Sequence, residues 1–522
     1  MRRHIACWLL SLVAVTAPAV CQAAVQVPPG FIDDVVTAGL SEPNSMAFLP
    51  DWRILVTEQR TGQIRMIVGA SFATQDPIHI ITDVNSGGYE QGLQGIAVDP
   101  AWPQRPYVYT YYTSTDGFCK LVRFTASGDL DNPVGQLLTL SNPVDLIDDI
   151  RDQHITHNGG CVRFGPDGML YLSLGDDDVP CDAADSTTLR GCILRLRVND
   201  LEEHINGRVT RDLITPYDNP FSTPDSNARL VWAYGMRNPW RYHIDPYSGK
   251  IYSADVGLVT YEEINEILPG DFLGWPYREG PQLMPRASCP EPGGNGANSY
   301  KPAVVSMLRD PDILVAISSA GVYRPVLGAS HNWPPESYDG DYFYGEYYTG
   351  DLYRLKEIKG VWIPAPQVLG QPDSLRWAKG LYSAVDFLVG PEGSLYWLAQ
   401  YDSTLFGPTG SLQRIRNIGA TTSAPIDPAL SARIYFTAYP NPSAALAQLA
   451  FRLPRATHVR LELFDLEGRR IVQLKDGDGI AGENRLEWDG KDSFGRQVRP
   501  GMYLARIQFL GASKTIRLIR LE

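Results

Sequence analysis

The chain has 522 residues, 10% of them aromatic, with 48 glycines, 40 prolines and a formal net charge of −13. That is longer than one ordinary domain, and so acidic a surface argues against nucleic acid and anionic membranes as partners. Long apolar helical periods are absent while Tyr, Trp and Gly are plentiful, which excludes a helical bundle and predicts mostly β structure.

Residues 1–24 read as a secretory leader: Arg2 and Arg3, the apolar run Cys7–Val15, then small residues around Ala23. Its removal takes the net charge to −15, and the mature chain is expected to be exported, to the periplasm, the cell surface or the medium. Val20 is too bulky for a lipidation box ahead of Cys21. No second apolar run approaches the ~20 residues that cross a bilayer, so no membrane span is expected. Five cysteines follow the leader, in a compartment where disulfides form. Cys181 and Cys192 bracket a loop and are the first candidates for a pair.

Between residues 25 and 417 one pattern recurs six times, starting near Phe48, Ala97, Arg163, His243, Asp339 and Leu388: an apolar residue, a turn rich in Pro, Gly or Asp, then a short strand. Pro166-Asp167-Gly168 is its clearest turn. Pro presets φ, Asp bonds nearby backbone and Gly supplies φ > 0, so flanking runs pair as a hairpin. Small sheets that cannot bury a face alone stack radially, so the fold expected is all-β, a six-bladed β-propeller, with a double β-sandwich as the alternative. Insertions after Asp176, around Asp218–Asn227 and from Arg278 to Lys301 would decorate a rim.

Residues 418–432 are a Thr/Ser/Ala/Pro linker. Residues 433–522 then alternate apolar and polar positions, as in Val459-Arg460-Leu461-Glu462-Leu463. About seven short strands in ~85 residues predict a small immunoglobulin-like β-sandwich.

Four constellations with chemical potential fall in the first unit. They are Glu90-Gln91-Gly92-Leu93-Gln94-Gly95, His157-Asn158-Gly159-Gly160, Tyr234-Gly235-Met236-Arg237-Asn238-Pro239-Trp240, and Asp255-Val256-Gly257 running through Glu262-Glu263 to Gly274-Trp275-Pro276. Histidine is the side chain best suited to take a hydroxyl proton near neutral pH. Gly159 and Gly160 are expected to leave room beside His157 for something flat. The blander role for His157 is a hydrogen bond to loop backbone, and for Arg237 an ion pair between blades.

In order and wording, these four motifs resemble the soluble quinoprotein (PQQ-dependent) glucose/sorbosone dehydrogenases over roughly residues 30–417, Leu189–Leu196 included. The resemblance implies a propeller that oxidises the anomeric carbon of an aldose or related alcohol, using pyrroloquinoline quinone (PQQ), Ca2+ and an external electron acceptor. It maps the general base onto His157 and a catalytic quinone contact onto Arg237, with Glu90 and Asn158 beside the cofactor. Glu262 falls at the substrate. The calcium carbonyls fall on Gly257 and Leu258, and Glu263 falls at a metal. The basic residues that grip the quinone in sugar-oxidising members are missing from Tyr347–Asp351 and Tyr382–Asp386; Arg376 and Lys379 stand a few residues upstream.

The Asp-Val-Gly then Glu-Glu wording also resembles the hedgehog-interacting-protein branch of the superfamily. That implies the alternative of a non-catalytic extracellular propeller binding glycan or protein through its rim, with Tyr342–Tyr348 suited to sugar stacking. The tail resembles flagellar hook-cap and type IX secretion sorting modules through Tyr439–Pro442, Phe464–Arg469, Trp488–Asp492 and Gly501-Met502-Tyr503. The resemblance implies attachment to the cell surface.

Overall fold

The computed structural model describes residues 25–521 apart from 202–208, 285–288, 290–299, 311, 325–337, 402–408, 419–435, 454–456, 466–468, 481, 494 and 510–511. The leader, nearly all of the linker and part of the 278–301 insertion lie outside the described residues. The fold is all-β: among the described residues there is one short α-helix, Arg211–Ile214, and no helix is long and apolar enough to cross a membrane.

Six antiparallel sheets are built in chain order, and their first strands are Pro43–Phe48, Leu93–Val98, Val162–Phe164, Pro239–Ile244, Ile317–Val322 and Ala384–Val389. Each sheet touches the next and the sixth touches the first, which closes a ring. Between every two neighbours lies one apolar cluster; Leu121 with Leu172 and Tyr252 with Tyr342 are examples. No sheet could bury both faces without the others, which is the physical reason for the ring. The ring is fastened by Phe31–Leu40, which pairs with Gly410–Asn417 as the outer strand of the sixth sheet. The Pro166–Gly168 turn joins Val162–Phe164 to Leu170–Leu174, with Gly168 at φ +76°.

At the axis the first strands bring charge together. Asp386 accepts from Arg163 Nη2 at 2.6 Å, Ser45 Oγ at 3.2 Å and the Met46 amide at 2.9 Å, and its Oδ1 lies 3.6 Å from Arg241 Nε. Arg241 in turn donates to the Asn44 carbonyl at 2.8 Å and to Gln94 O at 3.3 Å. Five of the six sheets thus meet in one buried polar knot.

A disulfide joins Cys181 to Cys289, not Cys181 to Cys192. Cys192 points into the core between the second and third sheets from strand Cys192–Leu196, whereas Cys181 sits in a surface 3-10 turn, Pro180–Ala184. The bridge therefore ties one rim insertion to another. Cys119, Cys161 and Cys192 are buried thiols.

The C-terminal strands form two further sheets, one of Phe436–Tyr439, Ala447–Leu453 and Gly482–Trp488, the other of Arg470–Gly479, Thr457–Phe464, Gly501–Phe509 and Ala512–Arg520. They share a core of Leu449, Phe451, Leu461, Leu463, Ile507 and Trp488. On the opposite face Glu462 is covered by Arg470 at 3.0 Å and Arg506 at 2.8 Å.

One half-buried acid sits in the fastening strand. Asp33 accepts the Trp397 indole N–H at 2.9 Å, and burial pushes its carboxyl up from 3.8 to about 7. The folded-state value lies above the unfolded one, so its stabilising effect is complete below about pH 4 and is lost as pH rises through about 7. Asp33→Asn keeps an acceptor for Trp397 and removes the titration. Thermal denaturation is expected to give the variant a higher Tm than the parent at about pH 8 and a similar one at about pH 4. An effect of the same size at both values would contradict this assignment.

Candidate functional site

The loops that enter the first strands all open at one end of the ring, and four of them supply the site. His157 precedes Val162–Phe164 in a buried loop, with backbone in the left-handed region at φ +60°. Asp177 and Asp178, opposite it, also have positive φ. Such conformations cost energy in non-glycine residues and gather where a site demands them. The loop is tied down by Asp177, whose carboxylate accepts the Gln153 and His154 amides, both at 2.9 Å, and the Arg190 guanidinium at 2.8 Å.

Gly159 and Gly160 do not make room for a ligand. A Cβ at Gly159 would meet Ser173 O and Gly175 N at 2.9 Å, and one at Gly160 would meet Gln94 Cβ at 2.7 Å. The space is filled by neighbouring strands, and the glycines allow that close packing.

The His157 ring is held at both nitrogens. Nδ1 lies 2.7 Å from Asp176 Oδ1, and Nε2 lies 2.7 Å from Arg237 Nη2. A guanidinium has donors only. Nε2 must therefore present its lone pair and Nδ1 must carry the proton that Asp176 accepts. Asp176 is fully buried and is itself fixed, with Oδ1 accepting the Asp178 amide and Oδ2 the Trp275 indole N–H at 2.8 Å. Trp275 also lies alongside Arg237, its ring centre 5.9 Å from the guanidinium carbon.

Arg237 and Asn238 reach the site because Asp255 accepts both their amides, at 3.0 and 2.7 Å. Burial and the neighbouring Glu263 push the Asp255 carboxyl up to about 7. Glu90 meets the same cluster, accepting the Asn158 amide at 3.1 Å and the Asn238 side-chain amide at 3.0 Å. The Asn158 side chain turns to Asp152 instead, at 3.0 Å.

Arg237 Nη1 donates to the carbonyls of Val256 at 2.9 Å and Gly257 at 2.8 Å. A second guanidinium, Arg309, donates to the same Gly257 oxygen at 2.7 Å, and its Nη1 lies 2.8 Å from Glu262 Oε1. Burial pushes Glu262 up to about 8 against that pull. Behind this loop, Glu279 Oε1 gathers the four consecutive amides of Leu258, Val259, Thr260 and Tyr261. Glu263 faces away from the His157 ring and accepts from the Gly280 amide and Asn265.

His157, Arg237, Glu90 and Asn158 thus come together, with Gly257 and Glu262 joined to them through the arginines. Glu263 does not reach them. Sequence reasoning passed over Asp176, Asn238, Trp275, Glu279 and Arg309 as working parts. Asp176 was signalled by an acidic run closing a strand beside His157, and Trp275 by its Gly-Trp-Pro turn; nothing local marks Arg309. Arg376 pairs with Asp351 at 2.7 Å and Lys379 with Asp373 at 3.0 Å, so neither is turned to the His157 ring.

Most of this site lies in a region that matches a known family model, Glucose / Sorbosone dehydrogenase, over residues 40–291. Residues 40–291, a little under half of the chain, are thus similar to the glucose/sorbosone dehydrogenases. HIPL1 protein of Arabidopsis thaliana is 32% identical over 232 residues, 40% of this chain and 30% of that one. Quinoprotein glucose dehydrogenase B of Acinetobacter calcoaceticus is 28% identical over 267 residues, 47% of this chain and 52% of that one. The chain therefore spans about a third to a half of these curated relatives. The PQQ-bound aldose sugar dehydrogenase of Streptomyces coelicolor shares the fold of the six-sheet ring, with a TM-score of 0.54 at 23% identity over 74% of this chain and 99% of that one. The matched region contains His157, Asp176, Arg237 and Trp275 but stops before Arg309.

Proposed function

We propose that this chain is an exported quinoprotein oxidoreductase that oxidises the anomeric carbon of an aldose or a related alcohol and passes the electrons to an external acceptor. The observation that supports it most is the His157 ring, fixed between Asp176 and Arg237 with its Nε2 lone pair turned to the Arg237 guanidinium. The match of residues 40–291 to the family model and the quinoprotein named among the similar proteins support the same reading.

For reaction, a substrate hydroxyl takes the place of Arg237 Nη2 at Nε2 and gives its proton to the ring. The imidazolium that results is stabilised by Asp176, whose second oxygen is pinned by Trp275, so the carboxylate does not turn away. Arg237, displaced from Nε2, keeps its two carbonyl partners and presents a positive charge to developing negative charge. When bound, the quinone supplies a two-electron acceptor for the hydride of the carbinol carbon. Arg237 and Arg309 are the cations of this chain that would meet its carboxylates, with Asn158 and Glu90 at the edge.

Calcium does not fit the residues as they stand. The Gly257 oxygen, where the resemblance puts the ion, already accepts two guanidiniums, and no cluster of three or more His, Cys, Asp or Glu suited to a metal occurs among the described residues. No step above uses it. The C-terminal sandwich serves, in this reading, as a cell-surface module.

A second reading, a non-catalytic propeller that binds glycan or protein through its rim, is favoured by HIPL1 among the relatives and by the pairing of Arg376 and Lys379 with aspartates. Dye reduction by the PQQ-reconstituted protein across a panel of aldoses separates the two. Quinone-dependent turnover is expected. Glycan binding that needs no quinone and survives His157→Ala, with no turnover on any sugar, would favour the second.

A further inference from the structure

We propose that Arg309 stands in the place of a divalent cation, so that the positive charge on the Gly257 side of the site comes from a pair of guanidiniums and not from a metal ion. The inference rests on this end of the ring being the ligand site, and not on which substrate is oxidised there.

A carbonyl oxygen has two lone pairs, and those of Gly257 are taken by Arg237 Nη1 at 2.8 Å and Arg309 Nη1 at 2.7 Å. Calcium gathers six to eight oxygens, mostly carboxylate and carbonyl, at about 2.3–2.6 Å. Here it would have to approach an oxygen from which two positive groups already radiate.

The carboxylate best placed to help, Glu262, is fully buried and faces Arg309. Glu279 is held on the far side of the loop, its Oε1 taken by the four amides of residues 258–261, so only its Oε2 is left. Arg309 is itself anchored from several sides. Its amide bonds Thr260 O at 2.8 Å, and Nη2 bonds Val315 O at 3.2 Å. It is a built part of the loop, not a surface side chain that has fallen in. Among the described residues, no carboxylate pairs with the Arg237 guanidinium, whose three partners are two carbonyls and an imidazole. Two cations share one neutral oxygen, with Glu262 facing Arg309 and Asp255 holding the Arg237 amide. Such an arrangement attracts an anionic ligand group and repels a metal ion.

Terbium(III) tests this, because it binds calcium sites and emits when a nearby tryptophan is excited; Trp275 lies beside Arg237. Terbium is titrated into the parent chain, Arg309→Ala, and each of these combined with Trp275→Phe. The parent is expected to show no emission that depends on Trp275. Arg309→Ala is expected to gain such emission, reversed by excess calcium, as the oxygen loses one guanidinium.

Trp275-dependent emission from the parent would overturn the proposal. So would its absence from a folded Arg309→Ala, since Arg309 would then not be filling a cation's place. Should that variant fail to fold, Arg309→Gln, which keeps a donor but no charge, is read in the same way. The readout needs neither sugar nor quinone, so a failed oxidation assay leaves this test intact.

Discussion

His157→Ala is expected to lower kcat for quinone-dependent aldose oxidation by about 10²–10⁴-fold while changing KM little. The loss is confined to the transition state because the ring's task is to take a proton. Asp176→Asn should fall in the same range for a different reason. An asparagine can present its N–H₂ to Nδ1, which would drive the ring proton onto Nε2, and Nε2–H can neither take a substrate proton nor accept from Arg237. Trp275→Phe, which removes only the bond that pins Asp176, should cost far less than either. Steady-state kinetics on the three variants give the ordering, and a Trp275→Phe loss as deep as that of Asp176→Asn would argue against it.

Asp386→Ala is expected to have the largest effect on stability, about 3–5 kcal/mol. The carboxylate is buried where five sheets meet and accepts from Arg163, Ser45 and the Met46 amide, with Arg241 at 3.6 Å. Truncating it leaves two guanidiniums facing each other without a counter-charge. Asp386→Asn, which keeps the acceptor oxygen, should lose less. Denaturant midpoints of the propeller transition measure both, and an alanine variant within about 1 kcal/mol of the parent would show that the knot contributes little.

How much of this was legible in the sequence depended on how local each feature is. The sheets were readable because every turn carries its own chemistry. Pro166-Asp167-Gly168 dictates a hairpin whatever surrounds it, and the strands on either side pair as that turn requires. The meeting of His157 and Arg237 was legible only through the resemblance, since 80 residues separate them. Contacts between distant loops were not legible. Cys181 finds Cys289 across 108 residues, while its near neighbour Cys192 is turned away by the alternation of its strand.

Glycine was misread in a telling way. Gly159 and Gly160 suggested space for a ligand, but absence of a side chain is equally the signature of a neighbouring strand pressed close, and Ser173, Gly175 and Gln94 take that space. Arg309 carries no local pattern at all. It matters only because the strand Val305–Leu308 pairs with Tyr261–Ile267 and delivers the next residue onto the Gly257 oxygen.

The most direct test of the central claim is rapid-mixing absorbance of protein loaded with PQQ, following reduction of the bound quinone after an aldose is added to the parent chain and to His157→Ala. The account predicts that both bind the quinone, that the parent reduces it within a single turnover, and that the variant does so at least about 100-fold more slowly. A quinone that fails to bind the parent chain, or that is reduced equally fast without His157, would contradict it.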